Sequence, residues 1–316
     1  MKTWTKGSFF ATVTCAVAGA YWLYEKRRIS LDTVGGAARP SEYELKLVQV
    51  LFRHGARTPL KSLPGTLQLC AKVHALPDPR GLAKTVYGIV TVFTSEAETE
   101  VLYPNYTRCD HLKQMTRQRI VQASLLPEIA EDLKEMYKLL EIPEHERINF
   151  IDIWDDMASR KAHDLARPSS VHYLMKIIEK RAVETVHFAY EPSNSTSLQL
   201  CVGQLLSILI GNIENKLKDQ DSLENLRKLH LYSVHDTTLM PFLMALDIFD
   251  MKWPPYSADA ILELYEHRSS KEAFVKVSYL GKCRLKALHQ VCNLTCCITA
   301  IALVTEPDIS ATLPCR

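Results

Sequence analysis

The strongest constraint on this chain is an apolar run near its start that ends abruptly in a polar, arginine-rich string. Residues 43–52 read YELKLVQVLF, are rich in Leu and Val, and end apolar on both faces. That pattern is typical of a strand in a sheet that is covered on both sides. The following residues 53–59 read RHGARTP, in which Gly55 allows a sharp turn and Pro59 stops immediate regular structure.

A second strand-like run, residues 229–234, ends in His235-Asp236, and a helical pattern follows it. Two more strand patterns lie at residues 260–265 and 274–279. Strand patterns that alternate with helical ones predict an α/β fold. Both polar strings would then lie at the carboxyl ends of strands, where open α/β sheets bind their ligands.

The chain between the two strings is mostly helical in pattern. Residues 116–140 have helical spacing with Pro127 at a helix start, and apolar faces predict further helices that include residues 171–178 and 197–217. The exception is the run VYGIVTVF at residues 86–93, which predicts another strand. The middle of the chain is therefore expected to be a helical section attached to the sheet.

Composition narrows the classes of function. The chain is 47% apolar, which allows a sizeable core. Its formal net charge of +2, without a basic stripe, argues against a nucleic-acid binder. The other histidines show no paired spacing of the H-E-x-x-H kind and no cysteines have C-x2-C spacing, so we expect no metal and no cofactor. A further His-Asp pair, His163-Asp164, lies in helix-and-loop chain and is interpreted as structural.

Residues 1–40 are expected to form a leader and linker that stand apart from the fold. Basic residues flank an apolar stretch at residues 9–24. The stretch is short for a membrane span, which needs roughly 20 residues. A signal peptide, a signal anchor, a mitochondrial presequence and a plain core helix all stay open. At the other end, residues 283–316 predict a divergent, Cys-rich tail with no clear period.

The two strings together supply the groups that cleave a phosphate monoester without a metal. Such an ester is a dianion, and its transfer needs charge stabilisation, a nucleophile and an acid. Arg53 and Arg57 can each direct two donors onto phosphate oxygens. A neutral His54 could attack phosphorus and become a phosphohistidine, and we expect nearby positive charge to lower its pKa and keep it neutral. Asp236 could protonate the leaving alkoxide, and His235 could hydrogen-bond a phosphoryl oxygen.

Both strings resemble those of the histidine acid phosphatases, a branch of the histidine phosphatase superfamily. The likeness covers most residues from about 43 to 60 and from about 92 to 282, and includes the runs SEAETEVLYPNY and LYSVHDTTLMPFLMAL. It implies a phosphoglycerate-mutase-like core sheet flanked by helices within residues 41–282. It also implies a helical cap over about residues 105–220 that shapes the substrate pocket.

The resemblance assigns roles by position. It implies that His54 is the phosphorylated nucleophile, that Asp236 is the proton donor, and that Arg53, Arg57 and His235 hold the phosphate. The implied activity is that of a phosphoric monoester hydrolase, with lysophosphatidic acid as the expected substrate. The expected location is the mitochondrion, the alternatives being the secretory pathway or a membrane anchor formed by the N-terminal segment.

The chain departs from the family pattern between its first string and the VLYPNY region. Family members carry a longer segment there, with an Arg-Ser-Thr motif whose arginine is a further phosphate ligand. Here only residues 61–93 fill the gap, and the role is not carried over to Arg80, the one arginine among them. The core is therefore expected to be incomplete. A catalytically impaired protein that keeps the fold and binds phosphate ligands or partners stays an alternative, and a phosphate mutase of the same superfamily is a third.

Overall fold

The computed structural model describes residues 42–61, 63, 95–96, 99–143, 145–190, 195–218 and 227–283. Three expectations lie outside these residues: the leader at residues 1–40, the strand at residues 86–93, and nearly all of the tail, from residue 284 onward.

A mixed sheet of five strands forms the centre of the described chain, in the order β2-β1-β3-β4-β5. The strands are β1 (Tyr43–Arg53), β2 (Leu229–Val234), β3 (Asp259–His267), β4 (Ala273–Tyr279) and β5 (Lys282–Cys283). β1 and β2 run parallel, whereas β3, β4 and β5 are antiparallel to their neighbours. The four longer strands are those that the sequence patterns predict.

Strand β1 is buried on both faces, as its Leu- and Val-rich sequence predicts. Leu47 and Leu51 belong to the large core, while Val48, Val50 and Phe52 pack in a smaller cluster on the opposite face. Apolar side chains on alternate faces of one strand fix its register, because a shift by one residue would exchange the two faces. The string that begins at the end of β1 is therefore held by a firmly packed strand.

Helices flank the sheet and fill the sequence between β1 and β2. They are α1 (Asp110–Ala123), α2 (Pro127–Leu139), α3 (Phe150–Ala162), α4 (Met175–Tyr190), α5 (Ser195–Leu198), α6 (Gln204–Leu217) and α7 (Asp236–Ala245). A 3-10 turn, His172–Leu174, precedes α4, and a π-helical turn, Gln199–Gly203, joins α5 to α6. The predicted α/β fold with a flanked sheet is confirmed, and α1 to α6 all fall within the range expected for the cap.

Two helical details differ from the sequence expectations. The spacing over residues 116–140 belongs to two helices, because α1 ends at Ala123 and a new helix begins at Pro127, which has no N–H to continue the first. Helix α3 was not expected. Its start carries a recognisable signal, a capping box in which Asn149 and Asp152 satisfy each other's backbone N–H groups.

One helical stretch of the described chain, Thr196–Leu217, has the length and apolar composition of a membrane-spanning helix. Its most apolar window is 50% buried inside the fold. Leu205, Leu206 and Leu209 in this stretch belong to the large core. Composition alone is therefore weak evidence for a membrane span here, since a core helix has the same character.

Candidate active site

The parallel pairing of β1 and β2 brings the two polar strings together. Arg53, the last residue of β1, lies opposite Val234, the last residue of β2, so that His54 and His235 follow at the same edge of the sheet. The His54 N–H donates to the Val234 carbonyl at 3.3 Å, and the two imidazole centroids are 5.4 Å apart. The expected convergence of residues far apart in sequence is thus present.

The His54 imidazole is set up to be a nucleophile through Nε2. Its Nδ1 lies 2.7 Å from the Gly55 carbonyl oxygen. A carbonyl can only accept, so the hydrogen belongs on Nδ1 and the lone pair of the neutral ring on Nε2. Burial lowers the pKa of His54, and the charges of Arg53 and His235 add to that shift against the opposing Gly55 hydrogen bond. The direction matches the sequence expectation, but burial rather than positive charge is the larger cause.

The carboxylate of Asp236 is buried and held by three donors. Its Oδ2 accepts from Arg53 Nη2 at 2.5 Å and from Trp253 Nε1 at 3.1 Å, and its Oδ1 accepts from the Thr237 N–H at 2.8 Å. Asp236 is 6% exposed. Helix α7 starts at this residue, one position earlier than expected, with His235 as its N-cap. The carboxylate of Asp236 therefore accepts from the N–H of the second residue of this helix.

The Arg53 side chain is fixed on three sides. Nη1 donates to the Pro254 carbonyl, Nη2 pairs with Asp236, and the guanidinium lies over the Tyr256 ring at 4.4 Å. Burial lowers the pKa of Arg53, and the charge of Asp236 opposes the shift. Within the part of the chain that the structure describes, the buried Nε–H has no hydrogen-bond partner. A buried donor of this kind is costly unless something accepts from it, and an anion at this edge of the sheet would do so.

Arg57 and His235 complete the set of predicted residues. Arg57 forms an ion pair with Asp155 of α3, with Nη2 2.9 Å from the carboxylate oxygen Oδ1. Burial lowers the pKa of His235, Asp236 opposes the shift, and the charges of Arg57 and Arg53 add to it. All five predicted residues therefore belong to one neighbourhood at the edge where β1 and β2 end.

Sequence reasoning missed four contributors: Trp253, which donates to Asp236; Tyr256, which stacks on Arg53; Tyr103, whose ring is 6.1 Å from His235; and Asp155. Tyr103 lies in the run SEAETEVLYPNY, and Trp253 and Tyr256 lie in a further run that resembles the family, FDMKWPPYSADAILELYEH at residues 249–267. Asp155 has no such signal.

The arrangement can carry out acyl or phosphoryl transfer of the nucleophile-plus-acid type. It offers a neutral imidazole, a carboxyl group beside it, and guanidinium donors aimed at the same edge. Among the described residues, no three His, Cys, Asp or Glu side chains are grouped so that they could hold a metal ion.

Comparisons with known proteins point to one family. The family model "Histidine phosphatase superfamily (branch 2)" matches residues 78–280, a range that contains His235-Asp236 but begins after the Arg53–Pro59 string. Lysophosphatidic acid phosphatase type 6 of Pongo abelii is 43% identical over 195 residues, which cover 62% of this chain and 46% of that protein. The protein of the same name from Homo sapiens is 41% identical over 195 residues, with the same shares covered.

The chain thus spans about half the length of the curated relatives that it matches. Among solved structures, the apo form of Hafnia alvei phytase aligns with a TM-score of 0.54 at 12% identity, over 77% of this chain and 86% of the phytase. At that identity the likeness concerns the fold alone.

Proposed function

Because this chain belongs to the histidine phosphatase superfamily (branch 2), we propose that it hydrolyses phosphate monoesters through a phosphohistidine at His54. One observation carries the proposal. The parallel register of β1 and β2 brings the half-buried His54 imidazole, whose pKa is lowered by burial, beside His235 and Asp236. The proposal is also supported by the buried Nε–H of Arg53, which has no hydrogen-bond partner among the described residues and could donate to a phosphoryl oxygen.

In the first step, Nε2 of His54 attacks phosphorus, the P–N bond forms and the P–O bond to the leaving group breaks. The leaving alkoxide takes the proton of a neutral Asp236. Oδ2 of Asp236 already faces two groups that can only donate, Arg53 and Trp253. Among the described residues, Oδ1 accepts only from the Thr237 N–H and keeps a lone pair. The transferable proton is therefore assigned to Oδ1.

In the second step, water attacks the phosphohistidine and Asp236, now ionised, accepts the proton of that water. The P–N bond breaks, inorganic phosphate leaves and His54 returns to its neutral form. Arg53, Arg57 and His235 hold the phosphoryl oxygens in both steps.

The activity is expected to be weaker than in relatives that carry the additional arginine. Removing one preorganised donor typically lowers the rate by about 10²–10³. The absence of an Arg-Ser-Thr string from the sequence favours a second candidate function. This is a phosphate-binding protein that keeps the fold without turnover.

We propose lysophosphatidic acid as the substrate. The proposal is supported by two relatives, 43% and 41% identical, that are lysophosphatidic acid phosphatases of type 6. A mitochondrial location, directed by residues 1–40, is proposed on the basic flanks of the apolar stretch in that segment. Subcellular fractionation of the full chain tests the location, which is refuted if the protein is recovered from the secretory pathway.

The test is phosphate release at acidic pH from p-nitrophenyl phosphate and from lysophosphatidic acid, by the full chain and by His54→Ala. An exposed histidine away from the strings, His172, gives the matched control His172→Ala. We expect release by the wild type and by the control, and background release by His54→Ala. Equal rates for the wild type and His54→Ala would place the activity elsewhere.

The same experiment separates the alternatives. Thermal stabilisation by inorganic phosphate without release indicates the binding protein. Exchange of the phosphoryl group between two alcohols, with little released to water, indicates a mutase.

A further inference from the structure

Asp155, on helix α3, binds the first string at Arg57 and the chain directly after the string at Leu60. It forms a bidentate ion pair with Arg57, with Nη2 to Oδ1 at 2.9 Å and Nη1 to Oδ2 at 3.2 Å. Its Oδ2 also accepts from the Leu60 N–H at 2.7 Å. One carboxylate from the helical section therefore fixes both an arginine of the site and the backbone three residues beyond it.

The pairing leaves one edge of Arg57 for a second anion. A guanidinium has five N–H donors, arranged as two forks. Asp155 faces the Nη1–Nη2 edge, where Nη1 donates to Oδ2 and Nη2 is in ion-pair contact with Oδ1; Nη1 also donates to the Thr58 carbonyl at 2.8 Å. Within the described chain, the Nε hydrogen and the second Nη2 hydrogen have no partner. These two form the remaining fork, whose geometry matches two oxygens of a phosphate.

The Asp155 side chain has a defined position on its helix, as a residue that orients Arg57 must have. Its side chain is 12% exposed and that of Arg57 is 24% exposed, so that solvent screens the pair only in part. The next residue, Asp156, is buried in an ion pair with Arg160 on the same helix, and the capping box fixes the start of that helix. Sites built on a helix hold a side chain more accurately than sites on a loop.

We propose that Asp155 is a positioning residue, which turns the Nε–Nη2 edge of Arg57 toward the phosphoryl group. This inference rests on the proposed function. Asp155 acts only through Arg57 and the Leu60 backbone, and does not touch the substrate. The opposite role, competition with phosphate for Arg57, predicts a change of opposite sign in KM.

The experiment is a double-mutant cycle on the full chain with Asp155→Asn, Arg57→Ala and the double variant, using p-nitrophenyl phosphate. We expect Asp155→Asn to lower kcat/KM about ten- to a hundredfold, mainly through a higher KM, because misplacement of a positioning group by about 1 Å costs up to that much. The double variant should match Arg57→Ala within about twofold, since no further loss remains once Arg57 is absent.

The matched control is Asp132→Asn, which breaks another carboxylate–arginine pair, that with Arg181, away from the site. It should leave KM and kcat within about twofold of wild type. A readout independent of turnover is amide hydrogen exchange at Leu60, which should speed up in Asp155→Asn and stay unchanged in the control.

Wild-type KM in Asp155→Asn, a lowered KM, or losses that multiply in the double variant would each overturn the inference while leaving the proposed function in place. Absence of phosphate release by the wild type would instead refute the proposed function. In that case, titration calorimetry with inorganic phosphate tests the positioning role. The role is supported if Asp155→Asn weakens phosphate binding when Arg57 is present and not when it is replaced. It is overturned if wild type and Asp155→Asn bind phosphate equally.

Discussion

Replacement of Asp236 by alanine should destabilise the fold as well as remove the proposed acid. The Arg53 and Asp236 side chains are only 4% and 9% exposed, and they form the buried ion pair of the site. Without the carboxylate, the direct contacts that the guanidinium keeps within the described chain are the Pro254 carbonyl and the Tyr256 ring. Removing one partner of a buried pair costs about 3–5 kcal/mol, because the other charge stays buried and uncompensated. The net stability of a domain is about 5–15 kcal/mol, so this loss would be severe.

The assay is urea unfolding near neutral pH, followed by circular dichroism and by tryptophan fluorescence to check for two-state behaviour. Asp236→Asn keeps an oxygen that can accept from Arg53, and should lose clearly less stability than Asp236→Ala. A matched control is Glu263→Gln, which breaks the more exposed pair with Lys276 and should cost about 0–1 kcal/mol. A free energy of unfolding of Asp236→Ala within about 1 kcal/mol of the wild-type value would contradict this expectation.

Three other changes have defined outcomes. Trp253→Phe removes a donor from Asp236 and should lower kcat about tenfold with little change in KM, measured by steady-state kinetics; an unchanged kcat would contradict this. Burial lowers the pKa of His54 below its ordinary value of 6.5. As the pH falls through 6.5, the unfolded chain therefore binds more protons than the folded chain, and the free energy of unfolding decreases. His54→Ala should make this decrease shallower between about pH 7 and pH 5 in urea unfolding, and an unaltered decrease would count against it. Gln49 is fully buried in β1 and donates to the Leu209 carbonyl at 2.9 Å, so Gln49→Leu should destabilise by about 1–3 kcal/mol in the same assay, and a neutral effect would refute it.

The sheet and the convergence of the strings could be predicted because their causes are local. An apolar run with both faces covered predicts a buried strand, and parallel neighbours end at one edge. From these two features of the sequence, His54 and Asp236 are predicted to lie at the same edge of the sheet. Helix α3 also has a local signal, the capping box of Asn149 and Asp152, which went unused.

The other features depend on contacts between distant parts of the chain. Asp155 contacts Arg57, which lies 98 residues earlier in the sequence, and no periodicity or spacing predicts such a contact. The cause of the lowered pKa of His54 is of the same kind. Arg53 is visible in the sequence beside His54. Burial of the imidazole, which is the larger cause of the pKa shift, arises only when the chain folds.

The most direct test of the central claim is to trap the covalent intermediate. The full chain is mixed with a 32P-labelled monoester, quenched within milliseconds under conditions that preserve the P–N bond, and digested for mapping. We expect label on the peptide that carries His54, and no label in His54→Ala. Turnover of the ester by the wild type without label at His54 would contradict it.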